Sequence, residues 1–173
     1  DWSSDVCSSD LTWQFTSTTL AEGAYEVRAL ATDFAGNTNR SATSSFTIDI
    51  TAPSAPTGVG LTAATDTGAS NTDGITSAVT QAITGVAEAY STVALYNSGT
   101  AITGATASVT PATVGATTGT FTIPTTLATG TYSITARATD RAGNVGSDSA
   151  PATVVVVDQT APAAGTFRSE EHT

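Results

Sequence analysis

The sequence predicts an all-β protein in which antiparallel strands form a β-sandwich, and three observations support this prediction. Thr, Ala, Gly and Ser dominate the 173 residues, whereas Lys and Met are absent. Short apolar runs rich in β-branched residues are separated by Gly, Asn, Asp and Pro, as in proteins with many strands and tight turns. Apolar and polar residues alternate along 132–139, which is typical of a strand with one buried face. No apolar run reaches the ~20 residues of a membrane helix, so we expect no membrane insertion.

Seven strands are expected in the longer part of the chain, and turn sequences such as Asn97-Ser98-Gly99 separate them. The alternation directs Tyr132 toward the core, where a tyrosine of such a domain often hydrogen-bonds to the backbone upstream. The apolar run 154–157 is expected to be buried on both faces or to lie beside a neighbouring domain. Short strands at this spacing predict a seven-stranded antiparallel sandwich. The expected strands are 57–63, 79–87, 91–97, 103–109, 119–124, 130–139 and 151–157.

A long internal repeat sets the expected domain organisation. The segment from Leu20 to Asn37 recurs from Leu127 to Asn144, 107 residues later and without a gap. Both copies end in an Asp followed by Gly-Asn, which we expect to form a tight hairpin capped by the Asp side chain. A period of about 108 residues matches one immunoglobulin-like domain, so we expect tandem immunoglobulin-like domains, the first of them truncated to its last three strands. The expected boundaries are 12–50 for the C-terminal part of the first domain, 51–56 for a linker, 57–158 for a complete domain and 159–167 for the next linker.

The two ends of the chain are expected to be foreign to the protein. One DNA coding of Arg168–Thr173, read on the opposite strand, encodes 5–11, and that DNA resembles a common sequencing-library adapter. We therefore interpret Asp1–Leu11 and Arg168–Thr173 as an assembly artefact. Without these ends the formal net charge changes from −10 to −6, because five acidic residues and one Arg lie in them.

The composition of the remaining chain excludes several kinds of function. The single Cys and the single His are Cys7 and His172, and both lie in the ends assigned to the adapter. Their removal excludes thiol or imidazole catalysis and zinc binding through Cys or His. An acidic chain with few basic residues is also a poor nucleic-acid partner. We therefore expect no enzyme activity and no nucleic-acid partner.

Two sets of motifs resemble a known family. The segment ATDRAGN followed by a Val-rich strand and DQTAP, and ATDTGASNTDGIT leading into ITGVAEAYSTVALYNSGT, are similar to the bacterial immunoglobulin-like repeats of giant adhesins and biofilm-associated surface proteins. The resemblance spans nearly all of 12–165 in the same motif order. It departs at the fifth strand, where the usual Trp is kept as Trp13 in the first copy and replaced by Thr120-Phe121 in the second. The family implies an extracellular location at the bacterial cell surface, with neighbouring repeats of the same chain as partners.

The resemblance also implies a possible calcium site, because some relatives bind Ca²⁺ where domains join. Ca²⁺ takes about six to eight oxygen ligands, and the loop 66–74 offers two carboxylates, an Asn and a Ser. We expect this loop and the outgoing linker at one end of the complete domain, and the hairpin and the incoming linker at the other. The alternative is that these side chains cap solvated turns. The candidate ligands are Asp49, Asp66, Asp73, Asp140, Asn144 and Asp158.

The sequence thus predicts a structural spacer in the stalk of an adhesin or biofilm protein, with Ca²⁺ as its possible cofactor. Two alternatives stay open. A ligand-binding module would need exposed aromatic residues, and outside the predicted adapter ends the sequence holds one Trp, Trp13. An accessory domain of a secreted hydrolase would need a catalytic domain elsewhere in the gene.

Overall fold

The computed structural model describes residues 14–165, and in that part the chain forms strands, turns and loops without a helix. The all-β prediction is therefore confirmed, and no membrane-spanning helix occurs in the described residues. Two compact units are present, and the division falls between Ile50 and Thr51. The predictions for Asp1–Leu11, for Trp13 and for Arg168–Thr173 lie outside the described residues.

The first unit contains four short antiparallel strands where three were expected. They pair as β1 with β4 and β2 with β3, and the rings of Tyr25 and Phe46 stack across the first pair with centroids 5.6 Å apart. Large apolar side chains remain exposed here, including Leu30 and Phe34, because within the described residues of this unit no second sheet covers them. The strands are β1 Gly23–Val27, β2 Leu30–Thr32, β3 Thr38–Arg40 and β4 Ser44–Ile48.

The second unit is a sandwich of two sheets, with orders β10-β7-β5 and β6-β12-β11-β8-β9. Each of the seven expected strands overlaps an observed one, and β6 is an additional strand of two residues. Apart from β6, which runs parallel to β12, neighbouring strands are antiparallel. The strands are β5 Thr57–Leu61, β6 Ile75–Thr76, β7 Gln81–Glu88, β8 Thr92–Asn97, β9 Thr100–Ser108, β10 Thr118–Thr125, β11 Gly130–Thr139 and β12 Thr153–Val157.

The core of the second unit lies between the two sheets. Alternate residues of each strand point into it, as the period of two predicts. It contains Ile83, Val93, Leu95, Phe121, Ile123, Ile134, Ala136, Ala138, Val155 and Val157, each with at most 2% of its surface exposed. The expectation that 154–157 is buried on both faces is wrong, because Val154 is 58% exposed and the strand alternates like the others.

The repeated tyrosine has the same role in both units, and the expected backbone hydrogen bond is confirmed. The hydroxyl of Tyr132 donates to the carbonyl of Ala128 at 2.9 Å. The hydroxyl of Tyr25 donates to the carbonyl of Ala21 at the same distance. Each bond ties the start of a strand to the turn that precedes it.

The chain enters and leaves the second unit at opposite ends of the sandwich. Gly146 follows the hairpin at the end of β11, and a Cβ at this position would collide with the carbonyl of Pro53 in the incoming segment. The outgoing end of β12 lies at the other end of β11, where Val157 is paired with Gly130. The N–H of Asp158 donates there to the carbonyl of Thr76 at 2.9 Å.

Candidate functional site

Asp66 is the most buried of the predicted calcium ligands, with 4% of its surface exposed. It follows a turn in which its own N–H donates to the carbonyl of Thr62 at 2.9 Å. Its Oδ2 accepts a hydrogen bond from the N–H of Gly74 at 3.1 Å, whereas its buried Oδ1 has no hydrogen-bond partner within the described residues. A buried carboxylate oxygen without a partner is costly, so this atom is the strongest indication of a bound group in the unit.

Asp73 lies in the same loop, and the loop brings it near Asp66. Together with Asn71, both residues line an open cleft that runs beside Val154. The Oδ1 of Asp73 accepts a hydrogen bond from the N–H of Ile75 at 3.0 Å, so this carboxylate also closes a local turn. The loop therefore provides two carboxylates and one amide around one cleft.

Gly74 holds this loop against the last strand. Its φ is +76°, and a Cβ at this position would lie 2.7 Å from the carbonyl oxygen of Val154. Only glycine combines this conformation with such a close approach of two backbones. The carbonyl of Gly74 accepts from the N–H of Val156 at 2.8 Å, which starts the pairing of β6 with β12.

Asp158 lies at the other end of β6, beside Thr76. Its Oδ1 accepts a hydrogen bond from the N–H of Thr160 at 2.9 Å, so the side chain caps the first turn of the outgoing segment. The loop with Asp66 and Asp73 precedes β6, and Asp158 follows the strand that pairs with β6. The sheet thus places these three acidic residues around one short strand.

Asp140 and Asn144 form a clamp across the hairpin after β11. The two oxygens of Asp140 accept from the backbone N–H and from the side-chain Nδ2 of Asn144, at 2.9 and 2.8 Å. The hydrogen bond from the Asn144 side chain lowers the pKa of the Asp140 carboxyl below its usual value. Asp33 and Asn37 repeat this geometry, with both distances at 2.8 Å. The predicted role of the Asp in capping the turn is confirmed in both copies.

The six predicted ligands do not form one cluster. Asp49 belongs to the first unit and the other five to the second. In the part of the chain from 14 to 165, no group of three or more His, Cys, Asp or Glu side chains is placed to hold a metal ion. Carbonyl, amide or water oxygens would have to supply most of the ligands at any one position.

An ion pair between Arg137 and Asp148 was not predicted from the sequence. Two nitrogens of Arg137 donate to the two oxygens of Asp148 at 2.8 and 3.0 Å, and the guanidinium lies 4.6 Å from the ring centre of Tyr96. The hydrogen bond from Arg137 lowers the pKa of Asp148, and the same bond raises the pKa of Arg137. No sequence pattern shows this pair, because the two residues meet only after the chain has turned back beside β11.

The sequence is similar to one known protein family over most of its length. The family model described as bacterial Ig-like domain matches residues 3–50 and 52–159. The first match begins inside the segment Asp1–Leu11. None of the curated proteins matches the chain. Because the two matches span most of the sequence and the second unit is a sandwich of antiparallel sheets, the chain belongs to the bacterial Ig-like domain family.

Proposed function

We propose that this chain is a spacer in the stalk of a bacterial surface protein, located outside the cell. Bacterial Ig-like domains typically occur in extracellular or surface proteins and are generally non-catalytic. The observation that carries the proposal is the position of the two chain ends in the second unit. Because the chain enters beside Gly146 and leaves beside Thr76, a domain of this kind adds its full length to the protein.

The construction of the second unit suits a spacer. Strand β11 has ten residues, and at about 3.3 Å per residue it spans roughly 33 Å. The turn after it is held by the Asp140–Asn144 clamp, and the β8–β9 turn has two residues, Ser98 and Gly99, both with positive φ. Short clamped turns leave few mobile segments for proteases to enter.

The length of the parent protein on the cell tests this role. Duplicating 51–158 in the parent gene should move a terminal epitope further from the cell surface by a fixed increment per copy. Deleting one copy should shorten the distance by the same increment. An epitope distance that does not respond to copy number would refute the spacer role.

We further propose that calcium stiffens this spacer, with the Asp66 loop as the principal contributor in the second unit. The buried Oδ1 of Asp66, which has no hydrogen-bond partner among residues 14–165, and the nearby Asp73 and Asn71 support this proposal. These are the oxygen ligands that Ca²⁺ prefers. The linker residues Asp49 and Asp158 and the hairpin residues Asp140 and Asn144 complete the proposed set of ligands.

Calorimetry with and without Ca²⁺ tests this second proposal. A ligand that binds the folded state alone stabilises it by about 2.7 kcal/mol at 100 times its dissociation constant. We expect Ca²⁺ to raise the melting temperature of the chain, and excess chelator to reverse the effect. Asp66→Asn should abolish the response. Asp148→Asn is the matched control, because it breaks an ion pair far from the loop and should leave the response to Ca²⁺ intact. An unchanged melting temperature in the wild-type chain would contradict the proposal.

A further inference from the structure

A cleft on the outer face of the sheet β10-β7-β5 lies at the hairpin end of the second unit. It has a volume of about 550 Å³, which lies within the ~300–1,000 Å³ of small-molecule sites. Small and apolar residues of the sheet line it together with residues that carry hydroxyl and carboxylate groups. The polar and aromatic lining residues include Ser54, Glu88, Tyr90, Thr117 and Thr118.

Tyr90 occupies a backbone position that does not suit a tyrosine. It is the third residue of the turn Glu88–Ser91, in which the N–H of Ser91 donates to the carbonyl of Glu88 at 3.3 Å. Its φ is +66°, a value at which Gly or Asn would fit without steric cost. The conformation is held from outside the turn, because the N–H of Tyr90 donates to the carbonyl of Val109 at 2.8 Å.

Core packing does not account for a tyrosine at this position. The residue is 49% exposed, so its ring contributes little to the buried core. A strained residue that is not required for packing points to a function of its side chain. The strained backbone at Tyr90 therefore indicates a functional role for its ring.

Arg141 holds the ring of Tyr90 in place. Its guanidinium lies 4.5 Å from the ring centre, at the distance of a cation–π contact. The hairpin does not require an Arg here, because the equivalent residue of the first copy is Phe34, which is fully exposed. The second unit thus combines a strained tyrosine with an arginine that orients it.

We propose that this cleft binds a neutral pyranose sugar, a function beyond that of a spacer. A pyranose ring has faces of C–H bonds, which are attracted to the electron-rich face of an aromatic ring, and a rim of hydroxyl groups. Tyr90 offers the aromatic surface, and Glu88 accepts hydrogen bonds from sugar hydroxyls. The hydroxyls of Ser54, Thr117 and Thr118 donate and accept at the rim.

Charge selects a neutral sugar over an acidic one. Residues 51–165 contain six acidic residues and two Arg. One of these Arg is paired with Asp148 and the other is stacked on Tyr90. Glu88 lines the cleft, whereas Arg141 keeps its charge behind the Tyr90 ring and is not one of the lining residues, so the charge nearest to a bound sugar is negative and a carboxylate-bearing sugar would be repelled.

Amide chemical shifts of the full chain provide the test, with glucose, galactose, mannose and N-acetylglucosamine as separate probes at millimolar concentration. At least one sugar should shift the amides of Glu88–Tyr90 and Thr117–Thr118 in a saturable way. Tyr90→Gly should abolish these shifts while the melting temperature stays the same or rises, because glycine relieves the positive φ. Loss of the shifts together with an unchanged or higher melting temperature would show that the variant is folded but no longer binds the sugar.

Tyr96→Ala is the matched control, since it removes the other tyrosine that is stacked with an arginine, and binding should persist in it. Absence of saturable shifts with all four sugars would overturn the proposal. Equal shifts in Tyr90→Gly would also overturn it. Glucuronate is a fifth probe, and its binding in place of the neutral sugars would refute the neutral class and point to Arg141 as the group that binds the carboxylate.

Discussion

Asp33 and Asp140 show how a single side chain fixes a turn in this fold. In each case both carboxylate oxygens accept hydrogen bonds from an Asn four residues later. This role follows from the sequence, since Asp before a Gly-Asn pair at the end of a strand predicts a capped turn. The same bonds occupy the oxygens that a metal ion would use. Turn capping would therefore compete with metal binding at Asp140. It would not do so at the Oδ1 of Asp66, which has no hydrogen-bond partner in the described part of the chain.

The clamp predicts a specific pH dependence of stability. The pKa of Asp140 is lower in the folded state than its ordinary value, so the ionised carboxylate stabilises the fold. This contribution is complete above the unfolded pKa of about 3.9 and is lost as the pH falls through the lower folded pKa. Asp140→Ala should therefore lower the melting temperature at neutral pH, and the difference from wild type should shrink in acid.

Asn144→Ala removes the side-chain donor of the same clamp and is the control for this prediction. It should lower the melting temperature in the same direction, and adding Asp140→Ala to it should cause a smaller further loss than Asp140→Ala causes alone, because only the backbone hydrogen bond of the clamp is left to lose. Thermal unfolding followed by circular dichroism over a pH series measures all three variants. A deficit for Asp140→Ala that stays constant down to the lowest pH would contradict the account.

At the scale of elements, one repeated sequence forms different strands in the two units. Strand β11 is continuous and pairs with β8 on one side and β12 on the other. Its counterpart in the first unit is split into β1 and β2. The hydrogen bonds between Ala29 and Ser41 in the first unit nevertheless match those between Ala136 and Ser149 in the second. Each half pairs on one side alone among the described residues. Apolar and polar residues alternate in the same way in both segments. The neighbouring strands, and not the β-propensity of the residues, therefore decide whether the strand is continuous.

Hydrogen exchange tests this difference between the strands. Amides of β11 should exchange at least about tenfold more slowly than those of β1 and β2, equivalent to about 1.4 kcal/mol of opening free energy. The reason is that β11 has a partner strand along each half, β12 along 130–134 and β8 along 134–139, and carries buried residues, whereas β2 is exposed. Mass spectrometry of peptides covering 23–32 and 130–139 within one sample provides an internal comparison. Equal exchange rates would show that the first unit is as stable as the second.

The same comparison explains which features the sequence could predict. Alternating patterns and short apolar runs, separated by turn sequences, located all seven main strands of the second unit, and Asn97-Ser98-Gly99 located a two-residue turn. Strand β6 was not predicted, because a strand of two residues that pairs in parallel with β12 is too short to show a periodic pattern. Three further features were also not predicted, because they depend on contacts between segments that are distant in sequence: the burial of Asp66, the Arg137–Asp148 pair and the strain at Tyr90.

At the scale of the whole molecule, the position of the chain ends matters more than any single site. The fold places entry and exit at opposite ends of the sandwich, and the family to which the chain belongs is typical of surface proteins. The chain is acidic, with a formal net charge of −10 that becomes −6 without the two ends interpreted as foreign, and this charge disfavours association between copies of the chain. These properties together support the proposed spacer function.

Small-angle X-ray scattering on proteins with one, two and four copies of 51–158 tests the spacer function most directly. We expect the maximum dimension to grow linearly, by at least about 33 Å per copy, the length of strand β11. This linear growth is expected from the positions of the chain ends alone. If Ca²⁺ also stiffens the spacer, its addition should make the increase in maximum dimension with copy number more strictly linear. A maximum dimension that levels off as copies are added would show that the domains fold back on one another and would contradict the spacer function.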